Sequence, residues 1–145
     1  MAGLRARSKA RSKETANATI DVVDELFVVA RPEVVAAEFA GPARWRELWP
    51  DLDLEVVADR GAQGLRWTAT GALVGSMEVW LEPVLDGTLL HYYLRAELPA
   101  GRPGRDRTAR RVAAEARRRQ HAAKALAFAL KHRLEAGRAP GEPPG

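Results

Sequence analysis

The stretch of sequence that determines the fold covers residues 80–94 and reads WLEPVLDGTLLHYYL. Asp86-Gly87 stands between two runs of alternating apolar and polar residues. This is the strongest hairpin signal in the chain, because a type I′ turn needs positive φ at both central positions. The turn predicts that Leu85 faces Thr88 and that the strands pair outward from there. A slip of one residue would move every apolar side chain to the other face of the sheet, so the register decides which side chains face the interior.

This register sorts the side chains onto two faces. A preceding strand over residues 65–70 extends the sheet and is predicted to place Trp67 beside Met77. The predicted interior face carries Leu65, Trp67, Met77, Val79, Leu81, Tyr92 and Leu94. The opposite face is predicted to hold Trp80 opposite Tyr93, and Glu82 opposite His91 as a surface ion pair.

Further strands and helices lie on both sides of the hairpin. Residues 19–29 are rich in β-branched residues at period two and read as a strand. Pro32 suits the first turn of a helix, and Pro42 starts a second short helix that Pro50 ends. The remaining predicted strands are 52–59, 65–70, 74–84 and 88–98, followed by a long helix over 105–136. One stripe of that helix holds Val112, Ala116, Arg119, Ala123, Leu126, Ala127, Leu130 and Leu134.

The length of 145 residues fits one ordinary domain. Residues 1–17 are basic and polar and are interpreted as a disordered tail, because they lack the apolar side chains that offset the entropy of ordering. Residues 137–145 are rich in Pro and Gly and are interpreted in the same way. The single domain is therefore expected over residues 18–136.

The formal net charge of +4 conceals a strong asymmetry. Residues 15–101 carry six arginines against fourteen acidic side chains, whereas residues 102–119 carry eight arginines against two. With no cysteine and only three histidines, the sequence offers no thiolate metal site, and we expect neither a metal nor a cofactor. No apolar run approaches the ~20 residues that span a bilayer, and the basic start lacks the apolar stretch of a secretory signal, so the expected location is the cytoplasm.

The order of strand, two short helices, antiparallel strands and one long C-terminal helix is that of the helix-grip fold. This is an α+β architecture in which a curved antiparallel sheet, here of about five or more strands, packs across the last helix. Residues 27–52, FVVARPEVVAAEFAGPARWRELWPDL, resemble the first strand and helix pair of the START-like superfamily known as SRPBCC, in particular its polyketide cyclase/dehydrase and lipid-transport family. In that family the helix pair closes on an aromatic-Pro step, here Trp49-Pro50.

Residues 80–94 also resemble the paired terminal strands of this family, in which a Pro and a Gly-Thr bracket the hairpin. Here these are Pro83 and Gly87-Thr88. The resemblance covers residues 19–136 and implies a cavity between the sheet and the last helix.

We predict that the side chains facing this cavity form a ligand-binding site. They are Trp67, Met77, Val79, Leu81, Tyr92 and Leu94 on the sheet and Arg119 on the long helix. The Tyr92 hydroxyl would orient a ligand, and the planar guanidinium of Arg119 suits a carboxylate or a phosphate. The alternative is that the apolar side chains fill a solid core and that Arg119 extends to solvent over its aliphatic stem. Trp45 and Trp49 lie on the second short helix, which in this family forms part of the cavity rim. They are interpreted as packing anchors of that helix, and the alternative is that they gate the entry to the cavity.

The expected function is binding of a small hydrophobic molecule, lipid or polyketide-like, without catalysis. No Ser/His/Asp set, inward pair of carboxylates or glycine-rich phosphate loop can be assembled from the sequence. The resemblance implies an alternative, an aromatic polyketide cyclase or dehydratase. A third class is association of the basic ends with an anionic membrane or with nucleic acid. Nucleic acid is the weaker partner because the arginines lack interleaved aromatic residues. The sequence leaves the ligand, the oligomeric state and the presence of enzymatic activity open.

Overall fold

Five strands and three helices form the part of the chain that the computed structural model describes, which is residues 20–99, 109–139 and 141–143. The strands are β1 (Ile20–Val28), β2 (Leu52–Asp59), β3 (Gly64–Gly71), β4 (Val74–Val84) and β5 (Gly87–Glu97). The helices are α1 (Pro32–Ala37), α2 (Pro42–Leu48) and α3 (Ala109–Leu134), and a single 3-10 turn covers Gly61–Gln63. The predicted tail over residues 1–17 and the predicted start of the last helix at 105–108 lie outside the described residues. The domain bounds therefore stay a prediction.

The strands form one antiparallel sheet in the order β1-β5-β4-β3-β2. Neighbouring strands from β2 to β5 follow one another along the chain as hairpins. In contrast, β1 pairs with β5, so α1 and α2 carry the chain from one edge of the sheet to the other. The predicted helix-grip fold is confirmed.

The β4–β5 hairpin is confirmed, but its predicted register is wrong by two residues. The turn residues are Leu85 and Asp86, so that Val84 pairs with Gly87 and Trp80 pairs with His91. A shift of two residues leaves every side chain on its predicted face, because the side chains of a strand alternate with period two.

The glycine of this hairpin serves strand packing instead of the turn. A Cβ atom at Gly87 would lie 2.4 Å from the carbonyl oxygen of Val28 and 2.7 Å from the ring of Phe27. Gly87 therefore lets β1 approach β5 closely, and the positive φ that the turn requires falls on Leu85, at 52°. The sequence predicts Gly87 in the turn because an Asp-Gly pair is typical of hairpin turns. It does not show that β1 lies against Gly87.

The two faces of the sheet differ as the alternation predicts. The interior side chains Trp67, Met77, Val79, Leu81 and Leu94 are each at most 1% exposed. On the outer face Trp80 is 36% exposed, and its ring stacks on His91 with a centroid distance of 4.4 Å. The Nε2 atom of His91 lies 3.0 Å from the carboxylate of Glu82, so the predicted contact forms, although Glu82 pairs with Leu89 and not with His91 across the strands. Its imidazole is buried, however, because the aromatic rings of Trp80 and Tyr93 flank it.

Helix α3 covers the free edge of β1. Three of its side chains donate to every second carbonyl oxygen of that strand. The pairs are Gln120 to Val23, Lys124 to Glu25 and Lys131 to Phe27. An uncovered edge strand exposes backbone groups that can pair with another chain, and α3 satisfies them. Among the described residues no helix is both long and apolar enough to cross a lipid bilayer.

The turn geometry makes a prediction about Leu85, the one non-glycine residue with positive φ in the described part of the chain. Its side chain is 98% exposed, so replacing it removes no buried surface. Asn tolerates this conformation better than Leu, and Leu85→Asn should raise the free energy of unfolding by about 0.5 to 1 kcal/mol in urea titrations. Asp86→Asn, at the turn position without positive φ, should leave stability almost unchanged. A destabilised Leu85→Asn variant would contradict the observed turn.

Candidate functional site

A groove of about 630 Å³ runs between α2, the residues that follow α2, and one flank of α3. The residues that α3 contributes recur at spacings of three and four, as expected for one side of a helix. They are Arg118, Arg119, Ala122, Ala123, Leu126, Ala129, Leu130 and Arg133. The side of α3 that carries Gln120, Lys124 and Lys131 contacts β1, so the two sides of this helix face different surroundings.

The opposite wall of the groove comes from α2 and its C-terminal end. Its residues are Arg44, Glu47, Leu48, Trp49, Pro50 and Asp51. The backbone N–H of Trp49 donates to the carbonyl of Trp45, which ends α2, and Pro50 prevents the helix from continuing. The Trp49 side chain is 6% exposed, stacks on Tyr92 at 6.2 Å and meets Trp67 edge to face at 5.6 Å. Trp45 also meets Trp67 at 5.6 Å, which confirms the interpretation of these tryptophans as packing anchors.

Tyr92 on β5 is the residue of the sheet that lines the groove. Its hydroxyl donates to the Sδ atom of Met77 at 3.2 Å, and the residue is 9% exposed. Burial raises the pKa of Tyr92 well above its usual value and outweighs the opposing charge of Arg119. The phenol therefore stays protonated at neutral pH and acts as a hydrogen-bond donor.

A two-fold hydrogen-bonded ion pair joins the two walls of the groove. The Nη1 and Nη2 atoms of Arg119 donate to the two carboxylate oxygens of Asp51 at 3.0 and 2.6 Å, and its Nε donates to Glu115 at 3.0 Å. The Arg119 side chain is only 10% exposed, so the predicted alternative in which it extends to solvent is wrong. The reason is that the carboxylates of Asp51 and Glu115 hold its guanidinium against the protein.

The ion pair shifts the pKa of both partners. Burial raises the pKa of Asp51, but the hydrogen bonds and charge of Arg119 outweigh this and hold the pKa below its usual value. Burial lowers the pKa of Arg119, and the carboxylates of Asp51 and Glu115 more than reverse that change. Both groups are therefore charged at neutral pH.

The predicted site residues do not all meet at one cavity. Tyr92 and Arg119 line the groove. Val79 and Leu81 line a separate cavity of about 400 Å³ beside α1 and the 3-10 turn. The other three, Trp67, Met77 and Leu94, are buried in the hydrophobic core. The role of all seven in ligand binding stays a prediction.

Sequence reasoning missed Asp51 on the α2 side of the groove and Ala122 and Ala129 on α3. Asp51 lies 68 positions from Arg119 in the chain, and no local pattern links the two. A signal did exist for α3, since Ala122 and Ala129 continue the helical spacing beside Leu126 of the apolar stripe. In the described ranges, no three His, Asp or Glu side chains come together in a cluster that could hold a metal ion.

An open antiparallel sheet, a pair of short helices and a long C-terminal helix beside a groove define a helix-grip, START-like architecture. No protein-family model matches the sequence, and no curated protein matches it significantly. Solved structures do share the fold. The Aha1 dimer from Colwellia psychrerythraea superposes with a TM-score of 0.57 at 13% identity, over 83% of this chain and 100% of that one.

Two further solved structures carry polyketide-related names. The Polyketide_cyc-like protein Cgl2372 from Corynebacterium glutamicum has a TM-score of 0.54 at 17% identity, over 85% of this chain and 97% of that one. The di-domain ARO/CYC StfQ from the steffimycin biosynthetic pathway has a TM-score of 0.59 at 16% identity, over 90% of this chain and 59% of that one. At these identities the likeness shows the fold alone, and it confirms the predicted helix-grip fold, which these structures share.

The ion pair across the groove makes a second prediction. Asp51→Asn removes one of the two charged partners of Arg119 and should lower the free energy of unfolding by about 1 kcal/mol at pH 7, because Glu115 still accepts from Nε and Asp51 is partly exposed. Asp53→Asn is the matched control, because Asp53 is exposed on β2 two residues away. Urea unfolding of both variants measures the difference.

The same pair predicts a pH dependence. Folding lowers the pKa of Asp51 from 3.8, so its stabilisation is complete above that value and is lost as the pH falls through the folded-state pKa. The stability difference between wild type and Asp51→Asn should therefore be constant from about pH 7 to pH 5 and should shrink below about pH 4. A difference that persists unchanged at pH 2.5 would contradict the role assigned to the ion pair.

Proposed function

We propose that this protein binds a small hydrophobic molecule in the groove between α2 and α3. The observation that carries the proposal is the groove itself, whose volume of about 630 Å³ lies in the range of ordinary small-molecule sites. Its middle is apolar, with Leu48 and Trp49 on one wall and Leu126 and Leu130 on the other. Charged side chains and the Tyr92 hydroxyl line the rest of the groove, so an apolar ligand held by its middle would have polar groups beside it that fix its orientation.

The proposal places the ligand against α3 instead of deep on the sheet. The aromatic rings of Trp45, Trp49 and Trp67 occupy the space between α2 and the sheet. Behind them Met77 and Leu94 are fully enclosed. A ligand in the groove would therefore touch the sheet through Tyr92 and otherwise lie along the helix.

We propose further that the protein holds the molecule without converting it. The buried Tyr92 hydroxyl stays protonated, and the carboxylate of Asp51 has a lowered pKa and two hydrogen bonds to Arg119. A group with these properties is a weak general base at neutral pH. The cyclase or dehydratase alternative stays a prediction from the family resemblance. The membrane and nucleic-acid alternative also stays a prediction, since much of the two basic segments lies outside the described residues.

Filling the groove should abolish binding. Ala122 lines the groove on α3, whereas Ala125 is exposed on the same helix and does not line it. In a fluorescence titration with the neutral dye N-phenyl-1-naphthylamine, we expect wild type to bind in the micromolar range. Ala122→Phe should weaken this affinity about tenfold or more by occupying the apolar space, at a cost of ~1.4 kcal/mol or more. Ala125→Phe has the same helix propensity and should bind as wild type does.

Two results would count against the proposal. One is a folded wild-type protein that does not bind the dye, and the other is equal affinity in the two phenylalanine variants. Circular dichroism of each variant would establish that its fold is intact.

The proposal that the protein binds the molecule without converting it has a separate test. Native mass spectrometry of the protein purified from its own host should show a co-purifying hydrophobic molecule, because transfer of its apolar surface from the groove to water is unfavourable. After release and renewed incubation with fresh protein, the molecule should have an unchanged mass and chromatographic retention. A time-dependent product that wild type forms and Tyr92→Phe does not would favour the enzyme alternative.

A further inference from the structure

We infer that the groove selects an extended, chain-like amphiphile with an anionic head group, which lies along α3 with its head at Arg118. This inference rests on the proposed function and names the class of ligand for the same site. It follows from the length of the groove, from the position of its charged side chains and from the partners that these side chains already have.

The groove is long. It follows one side of α3 from Arg118 to Arg133, which corresponds to about 22 Å at a rise of about 1.5 Å per residue. Between the two arginines the helix presents Ala122, Leu126 and Ala129, which leave a shallow apolar channel. An extended hydrocarbon chain would contact this surface along its whole length, whereas a compact ring system would cover only part of it.

Arginine side chains lie at both ends of the groove. Four arginines line it against two carboxylates, those of Glu47 and Asp51. The acidic partners Glu38 and Glu115 lie behind the arginines, with side chains 18% and 11% exposed, and are not part of the groove wall. This arrangement directs guanidinium groups toward the groove and favours an anion within it.

In two of the four guanidinium groups every nitrogen atom already donates to a partner in the protein. All three nitrogen atoms of Arg119 donate to Asp51 and Glu115. Those of Arg44 donate to Glu47 and to the carbonyl and carboxylate of Glu38. These two arginines hold the walls together and have little capacity left for a ligand.

Arg118 has free capacity. Its side chain is 70% exposed, and of its nitrogen atoms only Nη2 contacts an acceptor among the described residues, the carboxylate of Glu115. Arg133 is 51% exposed and contacts Glu38. The carboxylate of Glu47 is 68% exposed on the wall at that end and would repel an anion. At the other end Arg119 neutralises Asp51, so the head group is favoured at Arg118.

The test compares dodecanoate with dodecanol as competitors of N-phenyl-1-naphthylamine, and Arg118→Gln with Arg117→Gln. Arg117 is the adjacent exposed arginine, and it does not line the groove. Wild type should bind dodecanoate about tenfold more tightly than dodecanol, in keeping with one charge-assisted hydrogen-bonded contact. Arg118→Gln should remove this preference, and Arg117→Gln should retain it. Both substitutions remove one positive charge, so a general electrostatic field would affect the two variants equally.

The possible results separate the inference from the proposed function. Equal affinity for dodecanoate and dodecanol, with both displacing the dye, would overturn the anionic head group and leave the binding function in place. Equal loss in the two glutamine variants would overturn the assignment to Arg118. Tighter binding of 2-naphthoate than of dodecanoate would overturn the extended chain. Failure of the dye itself to bind the folded protein would overturn the binding function together with the inference.

Discussion

The groove of this protein depends on one interaction, the ion pair between Arg119 on α3 and Asp51 at the end of α2. The two residues are 68 positions apart in the sequence. Their side chains meet across the groove and form two hydrogen bonds. The pair fixes the distance between the two walls at one end. Because the Arg119 side chain is only 10% exposed, its guanidinium needs charged partners, and the contact with Asp51 keeps the end of α2 beside the long helix.

The aromatic side chains beneath that pair explain why the interior of the fold is divided. Phe39, Trp49 and Tyr92 stack in series, and Trp45 and Trp67 join them edge to face. This layer occupies the region between the helix pair and the sheet. On one side of it lies the groove along α3, and on the other lies the smaller cavity beside α1. The helix-grip resemblance implies one cavity between the sheet and the last helix. Here the aromatic layer fills the centre of that space, and cavities remain on its two sides.

Helix α3 has two different roles on its two sides. Toward β1, the long polar side chains of Gln120, Lys124 and Lys131 satisfy the carbonyl groups of an edge strand. Toward α2, small side chains such as Ala122 and Ala129 keep the helix surface low and leave room for a ligand. The first side fixes the position of the helix, and the second is therefore free to bind. A single 26-residue helix thus closes the sheet and forms the wall of the proposed site.

The sequence by itself determined the order of elements, most of their bounds and the face on which each strand side chain lies. These properties are local, because proline and glycine mark the ends of elements and alternation with period two assigns each side chain to a face. The tertiary structure alone decided the register of β4 on β5, since Gly87 is required by the close approach of β1 and the sequence around the turn does not record that contact. It also decided that Arg119 pairs with Asp51 and that Trp67, Met77 and Leu94 are enclosed. Which inward side chains a ligand can reach depends on what packs over them, and that is set by residues far apart in the chain.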